Sequence, residues 1–195
     1  ANIIIRIGYA GIILIPIIFF NFFIIFLERK NKFDKLLLYF SYLLAFIFEA
    51  LLFNTNYFIS GYYKYFWGFY PKANIAHFFY LLLLTILVFR IIYLLVSSLK
   101  NTESILAYKY QQIKYLFVAI IFYACASSDF VVNYGIEFYP LGFIFILIFL
   151  SIITYSIIVH RLMDIKLVLR RSTVYLATIL TVVIPSAALL YFVNT

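Results

Sequence analysis

Apolar stretches of about 18–25 residues recur along the whole chain, and each is long enough to cross about 30 Å of hydrocarbon as a helix. Lipid offers backbone amides no hydrogen-bond partners, so a stretch that spans a bilayer is either helical or part of a closed barrel. Barrel strands alternate apolar and polar residues over about ten positions. Runs such as Leu81–Val88 and Leu141–Leu150 do not alternate. The expected fold class is therefore all-α, a polytopic transmembrane helical bundle of about six spans.

Composition agrees. Of 195 residues, 67% are hydrophobic and 11% charged, and mean hydropathy is +1.10, too little polar surface to cover a soluble core. The 24 Phe and 19 Tyr are read first as the codon bias of an AT-rich genome, since Ile, Lys and Asn are enriched as well. Tyr and Trp also anchor helices where they meet headgroups. The single cysteine, Cys125, excludes an intrachain disulfide. No charged segment followed by a short apolar core and a cleavage site opens the chain, so no secretory signal is expected. The first residue is Ala1, which fits either a processed start or a segment of a longer protein.

The spans are expected as follows. Helix A runs from about Ile7 to Leu27 and is bent at Pro16. Helix B runs from about Leu36 to Phe53, after the charged turn Glu28–Lys35. A polar, aromatic connection, Asn54–Asn74, holds Gly61, Trp67 and Pro71. Helix C covers about Ile75–Leu99 with Asn74 as its N-cap, and Lys100–Lys114 is a loop. Helix D covers about Tyr115–Val132, followed by the link Asn133–Tyr139. Helix E spans about Pro140–Val159, with Pro140 as its first residue. His160–Arg171 is a basic connector, and helix F runs from about Ser172 to Val193 with Pro185 inside it.

Charge assigns the sides. The links after helices A, C and E carry Arg29, Lys30, Lys32, Lys35, Lys100, Lys109, Lys114, Arg161, Lys166, Arg170 and Arg171, while the other side has only Arg6, Lys64 and Lys72. Eleven basic residues against three, alternating with the spans, place loops 28–35, 100–114 and 160–172 in the cytoplasm, and Ala1 and Thr195 outside. The net charge of +8 then reflects membrane-end residues that meet anionic lipid. Membrane lipids are the expected partners, and nothing resembles a nucleic-acid reader.

Several segments carry a resemblance: GYAGIILIPIIFFNFFIIFLER (Gly8–Arg29), FYPKANIAHFFYLLLL (Phe69–Leu84), YQQIKYLFVA (Tyr110–Ala119), SDFVVNYGIEFYPLG (Ser128–Gly142) and YSIIVHRLMDIKLVLRRSTVYL (Tyr155–Leu176). The last, with RLMDI before a basic turn, is the most specific. In this order they resemble the seven-transmembrane N-terminal sensory module of bacterial sensor histidine kinases. The resemblance implies a bacterial inner-membrane protein, a membrane module over residues 1–159, a cytoplasmic basic connector over 160–172 and a further transmembrane helix over 173–195. It also implies a homodimer. In that family two helices precede the equivalent of helix A, and a cytoplasmic kinase or related output domain follows. Neither is found in these residues, so the chain is expected to be part of a larger protein or a relative without the output.

Ionisable groups inside spans are costly and are functional candidates by default. Arg6, Glu49, His77 and Asp129 each fall within about two turns of the outer ends of helices A to D, at similar depth. They are read as lining an outward pocket for a small polar or cationic extracellular ligand, with Tyr134 and Trp67 as lid residues. Glu49, Asp129 and His77 also permit proton sensing. The competing account is that these groups pair with one another, fix helix packing or reach the headgroups; Ser127 and Ser128 would satisfy part of Asp129 either way. Deeper in, Asn21 and Arg90 are read as structural, with Arg90 snorkelling or paired with Glu28.

In the connector, Leu162, Ile165 and Leu169 share one helical face, with Asp164 and Arg171 roughly opposite and Met163, Leu167 and Val168 blurring the pattern. The functional reading makes Arg161, Asp164, Arg170 and Arg171 part of a lever that carries helix movement; the alternative is a surface anchor. No catalytic motif is present: no HExxH, no P-loop and no GxSxG. His77 and His160 are assigned to opposite sides, so no metal site is expected, and no cofactor. The leading function is a sensory or anchoring membrane module of a signalling protein. A small-solute transporter or channel, motivated by the Pro-containing helices and intramembrane acids, and a structural subunit of a membrane assembly are the alternatives. A complete reading frame, solute flux in proteoliposomes and a stoichiometric partner are the respective discriminators.

Overall fold

The computed structural model describes residues 2–100 and 107–160. Helix F and the connector residues Arg161, Asp164, Arg170 and Arg171 lie outside the described residues. Five helices there are each long and apolar enough to cross a membrane: α1 (Asn2–Phe26), α2 (Lys32–Asn54), α3 (Ile75–Lys100), α4 (Ala107–Ala126) with its 3-10 extension (Ser127–Tyr134), and α5 (Gly142–His160). Large apolar side chains such as Phe40, Phe46, Phe89, Leu147 and Leu150 face outward along these helices. Water would penalise such a surface heavily, and a bilayer would not. The arrangement indicates a multi-pass membrane protein.

Each helix buries one seam. On α2 the buried positions are Asp34, Leu38, Ser41, Ala45, Phe48 and Leu52, alternating steps of four and three. That is the spacing of a stripe following one neighbouring helix. α1 contributes Ile13, Ile17 and Phe20, and α3 a wider face including Tyr80, Leu87, Ile91 and Leu94. α5 buries only Gly142, Phe149 and Ser156, seven residues apart, and packs chiefly along α4. α1 runs through Pro16 without interruption.

The turn between α1 and α2 is closed by backbone bonds. The Arg29 amide donates to Ile24 O at 2.9 Å and the Glu28 amide to Ile25 O at 3.0 Å, with Glu28 at φ 53°. This is the helix-ending arrangement usually given to glycine. Asn31 then caps α2, accepting from the Phe33 amide at 3.0 Å.

The connection after α2 is not irregular. It folds into an antiparallel hairpin, β1 (Ile59–Tyr65) and β2 (Gly68–Ala73), with a bulge between Ile59 and Gly61. The bundle is helical as expected, but it carries this two-stranded element at one end. Its strands lack clean alternation and contain Gly61 and Pro71, which weaken the sequence signal for a strand. The tight turn at Phe66–Trp67 requires Gly68, whose φ of 147° suits glycine. The hairpin sits at the end of the bundle away from the basic turns, and these two ends are called here the hairpin end and the basic end.

Several boundaries differ from expectation: α1 begins at Asn2 rather than Ile7, and the α-helical part of α4 ends at Ala126 rather than Val132. α2 begins at Lys32 and α4 at Ala107, each several residues earlier than their apolar runs, because polar residues extend the helices beyond the spans. α5 starts at Gly142 rather than Pro140, where a side chain caps it.

Candidate functional site at the hairpin end

α4 ends as an α-helix at Ala126 and continues for eight residues as 3-10 helix. A run this long is uncommon. Its three-residue turn stacks Phe130 and Asn133 on one edge, and both meet His77 of α3, with ring centroids of Phe130 and His77 5.5 Å apart. Gly135, at φ 93°, ends the element.

His77 is fully buried. Its Nδ1 lies 2.9 Å from the Tyr134 hydroxyl, and its Nε2 lies 3.2 Å from Asn133 Nδ2. Asn133 Nδ2 also donates to the Tyr9 hydroxyl of α1 at 2.8 Å. With an amide donor facing Nε2, that nitrogen acts as acceptor, which leaves Nδ1–H to donate to the Tyr134 oxygen. Tyr9, Phe58, Tyr80 and Phe130 pack edge-on around the ring. Phe58, with no exposed surface, enters from the segment just before β1 and plugs the bundle between Tyr9, Phe48, His77 and Tyr80. Asn133 Oδ1 is buried without a partner among the described residues.

The hairpin is fastened over this cluster. Tyr65 donates to Val132 O at 2.8 Å, and the Phe66 amide donates to Glu137 at 3.2 Å. At its base the Asn74 amide donates to Phe58 O at 3.1 Å, and the Asn74 side chain binds Asn56 O and the Ile75 amide at the start of α3. Above it Trp67 stacks on Tyr65 and meets the rings of Tyr70 and Tyr139 edge-on. Burial pushes the Tyr70 phenol up to about 12, with the nearby Asp129 carboxylate and Tyr65 adding to the effect.

The six residues singled out from sequence have the following places. His77 and Tyr134 are in direct contact. Trp67 lies at the centre of the hairpin's aromatic cluster, its Nε1 without a hydrogen-bond partner among the described residues. Arg6 is committed to the end of α2: it donates to Leu52 O, to Thr55 O at 3.0 Å and to Asn56 Oδ1 at 3.0 Å. The first two are backbone carbonyls that a helix C-terminus leaves unsatisfied. Asp129 accepts the Gly142 amide with both oxygens, at 2.8 and 2.9 Å, and so caps α5. Glu49 is half-buried on α2, with Oε1 shielded and unpartnered among the described residues. Only His77 and Tyr134 of the set share a hydrogen bond.

Sequence reasoning missed Tyr9 and Asn133, the latter assigned to a link. It also missed Asp34, placed in a charged turn. Asp34 is fully buried and binds Arg90 at 2.6 Å, whereas Glu28 pairs with Lys109 at 2.8 Å. Arg90 therefore has a different acidic partner from the one expected. The signal was available: Asp34 is in phase with Leu38, Ser41 and Ala45. Asn21 reaches the Tyr42 hydroxyl of α2 at 3.4 Å. Among the described residues no group of three potential metal ligands occurs.

No family model, no curated protein and no solved structure matches this chain.

Proposed function

We propose that the chain is the membrane-embedded input and anchoring module of a bacterial signalling protein of the sensor histidine kinase type. In this reading it lies in the inner membrane, with the hairpin outside and the basic links in the cytoplasm. The observation that carries it is the buried contact of His77 with Tyr134 and Asn133, directly beneath the hairpin. That contact joins α1, α3 and the 3-10 segment through a few hydrogen bonds in an apolar setting, where each bond changes the packing strongly. A small polar ligand or a proton arriving from the hairpin side acts on His77, Tyr134 and Asn133, with Trp67 in the covering stack and Glu49 flanking. Arg6 and Asp129 hold the helix ends that frame the site. Displacement of the 3-10 segment passes along α4 and α5 towards the connector, whose Arg161, Asp164, Arg170 and Arg171 are the lever residues of this reading. The resemblance of RLMDI and its basic turn supports the same assignment.

The complete reading frame and a topology map test it together. The expected outcome is an output domain encoded after Thr195, with reagents outside the cell reaching Lys64 and not Lys30. A frame without any output domain, or Lys30 labelled from outside, overturns the reading. Solute flux in proteoliposomes that is lost in Asp129→Asn replaces it with transport.

A further inference from the structure

The lateral surface between α2 and α3 is grooved along most of its length. Two adjoining concavities, of about 460 and 440 Å³, share Leu37 and Ile86. The upper one is almost wholly apolar, lined by residues including Leu44, Leu82 and Leu83. The lower one, towards the basic end, contains Arg90 between the rings of Phe33 and Tyr93, each 5.1 Å from the guanidinium carbon. We propose that this groove binds an anionic phospholipid of the leaflet at the basic end, its acyl chain along α2 and α3 and its phosphate on Arg90.

Depth supports this. Arg90 lies opposite Asp34, in the first turn of α2, so it stands at the level where α2 enters the bilayer. From Arg90, α3 continues ten more residues to Lys100, about 15 Å beyond that level. In the other direction the groove on α3 reaches Ile75, fifteen residues away and about 22 Å, more than half the hydrocarbon thickness. One leaflet's chain fits within that length. Counted from Ile75, Arg90 lies past the bilayer centre towards the basic end, and its side chain, bonded to Asp34 in the first turn of α2, reaches the headgroup boundary.

The donors are also in place. Nε and Nη2 both bind Asp34 Oδ1, at 2.8 and 2.6 Å, which fixes the guanidinium plane. Nη1 makes no protein hydrogen bond among the described residues, and the Arg90 side chain is 21% exposed. Phe33 and Tyr93 are more than half exposed, as expected of rings at the headgroup boundary. Arg29, Lys30, Lys32 and Lys35, beside the same end of α2, give the surroundings a positive balance that Asp34 does not cancel. A guanidinium held by one carboxylate with a donor left over suits a phosphate oxygen. The proposal does not depend on the signalling reading.

The test reconstitutes the protein in nanodiscs of phosphatidylcholine with increasing phosphatidylglycerol and measures retained lipid by native mass spectrometry. The wild type is expected to retain phosphatidylglycerol about fivefold over phosphatidylcholine, the preference one basic residue near a surface gives. Asp34→Asn combined with Arg90→Gln leaves net charge unchanged and removes the unpaired-carboxylate problem; it is expected to bring the ratio to parity. Ile86→Trp fills the groove and is expected to abolish retention with Arg90 intact, while Leu147→Trp, on the exposed face of α5, retains it. Equal retention of both lipids by the wild type, or an unchanged ratio in the double variant, overturns the proposal. So does a wild-type dimer that Ile86→Trp converts to monomer without changing lipid retention, since a second copy then occupies the groove.

Discussion

The carboxylate of Asp34, with no exposed surface, lies 2.6 Å from the Arg90 guanidinium and ties the first turn of α2 to the middle of α3. These two helices otherwise touch little, because the groove separates them. The ion pair is therefore a main tie between them at the basic end. Charges so placed are costly apart and tolerable together.

Arg90→Gln strands the buried carboxylate and is expected to destabilise the bundle by about 3–5 kcal/mol. Adding Asp34→Asn should recover most of the loss, since neither partner then needs a counter-charge. Thermal unfolding in one mild detergent checks both. Equal losses in the single and double variants would mean that the pair itself holds the helices, rather than the penalty for an orphaned charge.

Asn133→Ala removes the donor shared by Tyr9 and His77 and leaves buried polar atoms on two helices without a partner. The expected cost is about 1–3 kcal/mol. Tyr9→Phe should cost less, because it deletes one acceptor and keeps the ring against Phe58. Added to Asn133→Ala it should cost almost nothing further, and a thermal-stability cycle of the four proteins measures that coupling.

Gly142 has no room for a side chain. A Cβ there would collide with the Asp129 carboxylate and come within 2.9 Å of Ala126 O. Gly142→Ala is expected to push Asp129 off the start of α5 and cost about 1–3 kcal/mol. Asp129→Asn, which fits and keeps one acceptor, should cost about 1 kcal/mol through the weakened cap. A larger loss in Asp129→Asn than in Gly142→Ala would contradict the capping role.

The Lys109 ammonium, hydrogen-bonded to Glu28, holds its carboxyl below the usual value of 4.5, with Lys30 adding a smaller share. A depressed carboxylate contributes stability that is fully present above its unfolded pKa and disappears as the pH falls through its native one. The stability difference between wild type and Lys109→Gln should be constant above pH 4.5, shrink below it, and diminish with added salt. A difference that persists at low pH would assign it to the contact of the Lys109 ammonium with the Phe26 ring instead.

How much could be read beforehand is clearest at α3. Its start at Ile75 was legible from Asn74, and its end from the loss of apolar residues near Lys100. The hairpin was not legible: its aromatics suit strands, but Gly61 and Pro71 interrupt the pattern, and a two-stranded sheet is stabilised mainly by what it covers. Asp34 was hidden for another reason. Four basic neighbours made the segment look like a solvated turn, although the residue continues the α2 seam.

Sequence alone determined that these segments are membrane-length helices, since hydropathy and length act through the solvent and need no knowledge of neighbours. Only the tertiary structure decided that His77 faces Asn133 and Tyr134, that Arg6 and Asp129 are spent on helix ends, and that Arg90 meets Asp34. Those pairings depend on how each helix is rotated and which one lies beside it. Side-chain contacts across 56 residues of chain, as between Arg90 and Asp34, leave no periodic trace in either segment.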